Sequence, residues 1–292
     1  MRQKLTLIFD RSAFHGERFD LLKKSQLHRL IKARVLLVHH TPAFLEETVS
    51  LYEKPENRDE LRAQLPFILD ICNGRWFLQA EELWNLELVQ HAGPNANVFV
   101  KEWRRRDTER RMREGVLGPM PWTELLSSLP SKDAERQKQF RQHALHVEMR
   151  KEVADKRKAA DVPKHAKPAA ASELINHEAD SWGWELISRF IHHPDKRGIY
   201  CAWKKNKMSC PFFTSFVEGT LYGQWHAMVE YNKKIDLNAQ VDIQLLSYLH
   251  RADVVVSNDE RFLKDAFAEL WLPKRKRLFS SEQLVTFLKI LQ

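Results

Sequence analysis

Two apolar runs in this chain end on aspartate. Leu5-Thr6-Leu7-Ile8-Phe9 stops at Asp10, and Val254-Val255-Val256 passes through Ser257-Asn258 to Asp259. Runs of this kind read as buried strands, and the tip of a buried strand is a costly place for a carboxylate without a partner. A third acid, Asp242, shares one helical stripe with Leu245, Leu246 and Leu249. A fourth, Glu47, follows Phe44 by three and precedes Leu51 by four; Glu46 points nearer the outside, and helix phase alone leaves the choice between them open. Four carboxylates without cysteine or clustered histidine suit a hard, oxygen-seeking ion, Mg²⁺ or Mn²⁺. Such an ion lowers the pKa of a bound water and holds a phosphate for in-line attack.

The elements that must position these acids alternate strand with helix. Residues 5–9 predict a strand, 18–33 a helix and 34–38 a second strand. Thr41-Pro42 then opens a helix, with Thr at the N-cap and Pro in the first turn. Helices over 61–71 and 81–89 flank a short strand at 76–78. After the middle of the chain come a helix over 242–250, the valine strand, a helix over 260–271, a strand at 277–279 and a last helix over 281–291. This alternation predicts an α/β fold, a parallel doubly wound sheet. In such sheets ligands bind beyond the carboxyl ends of the strands, where the winding changes direction. Asp10 and Asp259 meet there if their strands are neighbours.

Residues 101–234 differ in character. Residues 101–113, KEWRRRDTERRMR, carry seven basic and three acidic residues. Residues 131–172 have a thin apolar stripe and a Pro/Ala/Lys-rich tail that reads as a linker. Residues 181–231 turn aromatic, and their Trp and Phe residues read as core. The expected layout is an α/β core from 1–100 and 235–292, interrupted by a basic, aromatic-containing helical insertion over 101–234.

The segments LIFDRSAF, VHHTPAFLEETV and VDIQLLSYLHRADVVVSNDERFL together resemble the PIN-domain nucleases. The resemblance covers roughly 1–55 and 236–292. It implies a five-stranded parallel sheet, a site for Mg²⁺ or Mn²⁺, and hydrolysis of phosphodiester bonds, in RNA ahead of DNA, leaving 5′-phosphate and 3′-hydroxyl ends. The matching positions are Asp10 with Ser12, Glu47, Asp242, and Ser257-Asn258-Asp259 with Phe262. Asp10, Glu47, Asp242 and Asp259 would hold metal, and Ser257 would touch a phosphate or water. Beside such a core, Arg104, Arg105, Arg106, Arg110 and Arg111 become candidates for phosphate contact. A protein regulator of the antitoxin kind and pairing into a homodimer are further partners that the resemblance admits.

The chain has 292 residues, 47 Lys+Arg against 39 Asp+Glu and a formal net charge of +8, a balance that suits a polyanionic partner. Three cysteines without a CxxC pair indicate neither a disulfide framework nor a thiolate zinc site and point to a reducing cytoplasm. No apolar stretch has the length of a membrane span and no signal-peptide pattern opens the sequence. His39-His40 and His192-His193 read as structural, the latter within a packed segment, and Asp253 as a surface residue at the entry of a strand. Two other functions start from the same residues. A haloacid-dehalogenase-like phosphatase would use Asp10 as nucleophile, but it expects a second Asp where Ser12 stands. A non-catalytic RNA-binding or scaffold module needs no such set of carboxylates.

Overall fold

The computed structural model describes residues 4–51, 55–72, 75–93, 96–118, 171–229 and 239–291. Strand β1 (Leu5–Phe9) leads through a 3-10 turn (Arg11–Phe14) into α1 (Glu17–Lys24) and α2 (Leu27–Lys32). Next come β2 (Leu36–His40), α3 (Pro42–Ser50), α4 (Arg58–Ile71), β3 (Arg75–Trp76), α5 (Ala80–Leu88) and α6 (Glu102–Leu117). Helices α7 (Ala171–Phe190), α8 (Lys196–Lys205), α9 (Pro211–Val229) and α10 (Ala239–Ser247) precede β4 (Val254–Val256), α11 (Phe262–Leu270), β5 (Arg277–Phe279) and α12 (Ser281–Ile290).

The five strands form one parallel sheet in the order β3-β2-β1-β4-β5. The chain builds outward from β1 to β3, then returns to add β4 and β5 on the other side of β1. The winding therefore reverses between β1 and β4, the place where an open α/β sheet leaves a crevice. Register there pairs Leu7 with Val254, Ile8 with Val255 and Phe9 with Val256, which sets Asp10 beside Ser257.

Both faces of the sheet are covered, which is why the central strands β1 and β4 are almost wholly apolar. Period-two alternation sends Leu7, Phe9, Val254 and Val256 to one face, against Leu22 of α1, Leu27 of α2, Ile68 of α4 and Leu284 of α12. Ile8 and Val255 face the other way, toward Trp84 of α5, Phe213 and Phe216 of α9, Leu246 of α10 and Leu263 of α11. Helices α7, α8 and α9 belong to that second layer and share one apolar cluster with the sheet. Most aromatic residues of this region are core, as expected, Trp203, Phe212, Phe213 and Phe216 being buried, but Trp182 and Trp225 are only partly buried and Trp184 is exposed. Each fully buried side chain of this size contributes about 1.5–3 kcal/mol.

Gly183 of α7 makes this layer possible. A β-carbon there would lie 2.0 Å from Cζ3 and 2.1 Å from Cη2 of Trp203. The indole cannot easily yield, because its Nε1 donates to Thr214 Oγ1 at 3.0 Å. Gly183→Ala gains about 1 kcal/mol of helix propensity but overpacks the contact at a cost of about 1–3 kcal/mol. Thermal melting is expected to show a lower Tm for the variant; an unchanged or raised Tm would mean that the α7–α8 contact is loose.

Several local expectations need correcting. The helix expected over 18–33 is broken into α1 and α2 at Ser25, whose Oγ accepts from Leu27 N at 3.2 Å and donates to Leu22 O at 2.6 Å, competing with the helical ladder. The second strand starts at Leu36, because Arg34 has φ of 58° and turns the chain. The third strand is Arg75–Trp76; Phe77 instead bridges antiparallel to Phe99. His192 is exposed and His193 half-buried, in the loop between α7 and α8, where His193 Nδ1 accepts from Asp195 N; neither lies in a packed segment. The linker read at 163–171 and most of the 131–172 stretch lie outside the described residues.

Candidate active site at the carboxyl ends of β1 and β4

Asp10 leaves β1 as the N-cap of the 3-10 turn and is 8% exposed. Its backbone N–H donates to Val256 O at 2.9 Å, which ties the two strand ends together. Its Oδ2 accepts from Ser12 N at 3.3 Å, from Ser12 Oγ, and from Ser257 Oγ at 2.7 Å. The two serine hydroxyls stand 3.1 Å apart. Ser12 Oγ then accepts from Asn258 N at 2.9 Å, and Ser257 Oγ from Asp259 N at 3.0 Å. Among the described residues no hydrogen bond is made to Asp10 Oδ1. One carboxylate oxygen is thus fixed by the protein, and the other is left to bind a ligand at the sheet's reversal.

Asn258 does more than turn the chain. Its Oδ1 accepts from Ser281 N at 3.1 Å and from Ser281 Oγ at 2.7 Å, and its Nδ2 donates to Glu282 Oε2 at 3.2 Å. The capping box of Ser280 and Gln283 fixes the start of α12 there. Asp259 is half-buried, and its Oδ1 accepts from Arg261 N at 2.6 Å. Asp253 is occupied on the far end of β4, accepting from Thr6 N at 2.9 Å.

Glu47 and Asp242 come from α3 and α10, two helices that pack against each other. Thr41 caps α3 through its Oγ1, with Pro42 in the first turn, as the sequence predicts. The helix puts its two glutamates to different uses. Glu46 accepts from Gln79 Nε2 at 3.1 Å, on the α5 side. Glu47 lies on the side of Asp10: both act on the guanidinium of Arg11. Asp242, 6% exposed, stands on α10, which packs against α3, α9 and α11.

Arg11 is a site residue that sequence reasoning passed over, although it adjoins Asp10. Its Nη2 donates to Gln64 Oε1 at 2.5 Å and lies 3.6 Å from Glu60 Oε1. Burial pulls its pKa down; Glu60, Glu47 and Asp10, in that order, push it back up. A fixed cation inside an acidic site offsets part of the carboxylate charge.

The donors fit a hard divalent ion in kind, being all oxygen. Among the described residues no three His, Cys, Asp or Glu side chains are grouped closely enough to share one ion. Mg²⁺ does not require that, since it keeps several waters and binds through one or two carboxylates plus substrate phosphates. Asp10 Oδ1 suits such a site.

The arginines of α6 are less available than their number suggests. Arg105 is 15% exposed and pairs with Glu109 at 2.8 Å. Arg104 pairs with Glu82 at 2.5 Å, Arg106 with Glu102 at 2.5 Å, Arg110 with Asp107 at 2.8 Å and Arg111 with Asp107 at 2.9 Å. Four of these five guanidiniums are exposed, and Arg105 is turned inward. His39 and His40 are buried and structural: His40 Nε2 meets Ile68 O at 2.7 Å, and His39 packs on Phe77 and Phe99. Burial lowers both to a pKa of about 4.

No helix among the described residues is long and apolar enough to cross a membrane. Comparison with family models, with curated proteins and with solved structures finds no match to this chain.

Proposed function

We propose that this protein is a divalent-metal-dependent nuclease of PIN-like type, hydrolysing phosphodiester bonds in RNA ahead of DNA. The observation that carries the reading is Asp10, buried at the reversal of the sheet with Oδ2 held by two serines and Oδ1 without a hydrogen bond among the described residues. Asp10 would be a ligand of Mg²⁺ or Mn²⁺, an ion for which one or two carboxylates with waters and phosphate suffice; Glu47, Asp242 and Asp259 are the further candidate donors. The ion, when bound, would supply an activated water and a clamp on the phosphate. Ser257 and Ser12 keep Asp10 in one orientation, and Arg11 limits the repulsion among the acids.

The exposed arginines of α6 suit a supporting contact with the polyanion. Their surface ion pairs are screened by solvent and weak, so a phosphate can replace a carboxylate at little cost. Binding should weaken steeply with salt if they do so.

A mixed pool of RNA and single-stranded DNA tests the reading in Mg²⁺, Mn²⁺ or EDTA. The expected result is metal-dependent cutting of RNA by the wild type and much slower cutting by Asp259→Asn. Cutting that persists in EDTA, or none in either metal, would remove the proposal.

A further inference from the structure

Helix α6 starts on the same end of the sheet as the candidate active site. Register sets Ile8 beside His39 and Trp76 beside His40, so Trp76 stands level with Phe9, one residue short of Asp10. Val100 N donates to Trp76 O at 2.8 Å, and α6 begins two residues later, at the carboxyl ends of the strands. The helix turns Met112, Gly115 and Val116 to the core. Trp103 precedes Met112 by about two and a half turns, so it points the opposite way. It is 70% exposed. Tryptophan is highly buried on average, and an outward indole adds little burial to the fold.

The neighbours of Trp103 on that face are charged. At 3.6 residues per turn Arg106 and Arg110 fall within about 60° of it, and their side chains are 71% and 60% exposed. Asp107 lies on the same face, and Glu102, Asp107 and Glu114 pair with the two arginines. Over 101–117 seven basic residues stand against four acidic ones, so the surplus on the helix is positive. A lone indole among guanidiniums does not suit a membrane or the centre of a protein interface, since both call for a continuous apolar face. It suits a polymer in which each unit offers a flat ring and a phosphate. Only an unpaired strand leaves its ring faces open to a side chain.

We propose that Trp103 is a base-stacking platform for single-stranded nucleic acid, with Arg106 and Arg110 holding phosphates of the same strand. That this strand is a substrate led toward Asp10 rests on the nuclease reading; the stacking does not. Every base has a ring face, so the platform would grip the strand with little regard to sequence.

Fluorescence anisotropy in EDTA separates binding from any cleavage. The probes are labelled oligonucleotides of about twelve units: single-stranded RNA, single-stranded DNA and an RNA duplex. Either single strand is expected to bind more tightly than the duplex. Trp103→Ala should weaken single-strand binding roughly tenfold and leave its salt dependence unchanged, while Trp103→Phe, which keeps a ring face, should recover most of the loss. Arg106→Ala and Arg110→Ala should each lower the slope of log affinity against log salt by about 0.7, as the loss of one phosphate contact does for a single strand. No binding of either single strand, affinity unchanged in Trp103→Ala, or a duplex bound as tightly as a single strand would overturn the platform. So would a Trp103-dependent attachment to phosphatidylserine vesicles, or a self-association lost in Trp103→Ala, in place of strand binding. Trp103-dependent binding by a protein that cuts nothing in Mg²⁺ or Mn²⁺ would keep the platform and remove the nuclease. Metal-dependent cutting with binding and rate unchanged in Trp103→Ala would keep the nuclease and remove the platform.

Discussion

Asp10→Asn is expected to lower metal-dependent RNA cleavage by roughly 10³-fold, because several kcal/mol of charge stabilisation by a divalent ion would be lost. The substitution is unusually clean. The amide oxygen can take the place of Oδ2 and go on accepting from Ser12 N, Ser12 Oγ and Ser257 Oγ. The amide nitrogen then replaces the outward Oδ1, putting two donor hydrogens where a cation would bind. Melting in EDTA should therefore stay within a few degrees of wild type. The rise in Tm that Mg²⁺ or Mn²⁺ gives the wild type should vanish in the variant, since an ion stabilises only the state that binds it. A variant that keeps its cleavage rate would place the chemistry elsewhere in the molecule. A variant that loses the rate and also unfolds in EDTA would make Asp10 a structural cap.

Acid lability is the second large effect. His39 and His40 are held at about 4 by burial, and His250, whose Nε2 lies 2.5 Å from Ser215 Oγ, at about 3. Each is neutral in the folded chain, yet each would take up a proton near pH 6.5 once unfolded. Between those values the unfolded state binds more protons, so stability falls as the pH falls. The loss from pH 7 to pH 5 is about 2 kcal/mol for each histidine, roughly 6 kcal/mol together. That is comparable with the whole stability of many domains, about 5–15 kcal/mol.

Glu87 opposes this trend. It is 5% exposed, and its two carboxylate oxygens accept from the backbone N–H groups of Phe212 and Phe213 at the start of α9, at 3.1 and 3.0 Å. Burial nevertheless raises its pKa to about 7. A carboxyl with a raised folded pKa holds more protons when folded, so its contribution falls as the pH rises from 4.5 to 7. Lowering the pH from 7 to 5 therefore returns about 2 kcal/mol. Urea titrations at pH 7, 6 and 5 should show a net loss of about 4 kcal/mol, deepened by about 2 kcal/mol in Glu87→Gln, whose amide does not titrate. A flat profile, or one that Glu87→Gln does not steepen, would contradict these assignments.

Residues that work locally were the legible ones. The valine strand, the Thr41-Pro42 helix start and the strand end at Asp10 each carry their reason within a few neighbours. That β1 and β4 are neighbours was a condition of the sequence reading, and the strand pairing supplies it. Ser25 and Arg34 were harder, because a side-chain hydrogen bond and a positive φ leave no periodic trace. Glu87 was out of reach: its partners lie 125 and 126 residues away, and in sequence it is an ordinary helical acid. The arginines of α6 teach the opposite lesson. Apart from Arg104, which pairs with Glu82 of α5, their acids stand three and four residues away, so the ladder that occupies them was readable from spacing alone.

The pairing of Leu7–Phe9 with Val254–Val256 also sets an order of events on the ribosome. Strands β1, β2 and β3 are synthesised within the first 76 residues, yet β1 keeps an open edge until β4 emerges. At about 5–20 residues per second, that edge waits on the order of ten seconds or more. Through that interval an apolar strand with unpaired backbone groups is exposed to other nascent chains. The crevice that holds Asp10 therefore forms only once β4 is made, and release of a truncated chain before residue 254 would leave a half-sheet prone to aggregate, with no site at all.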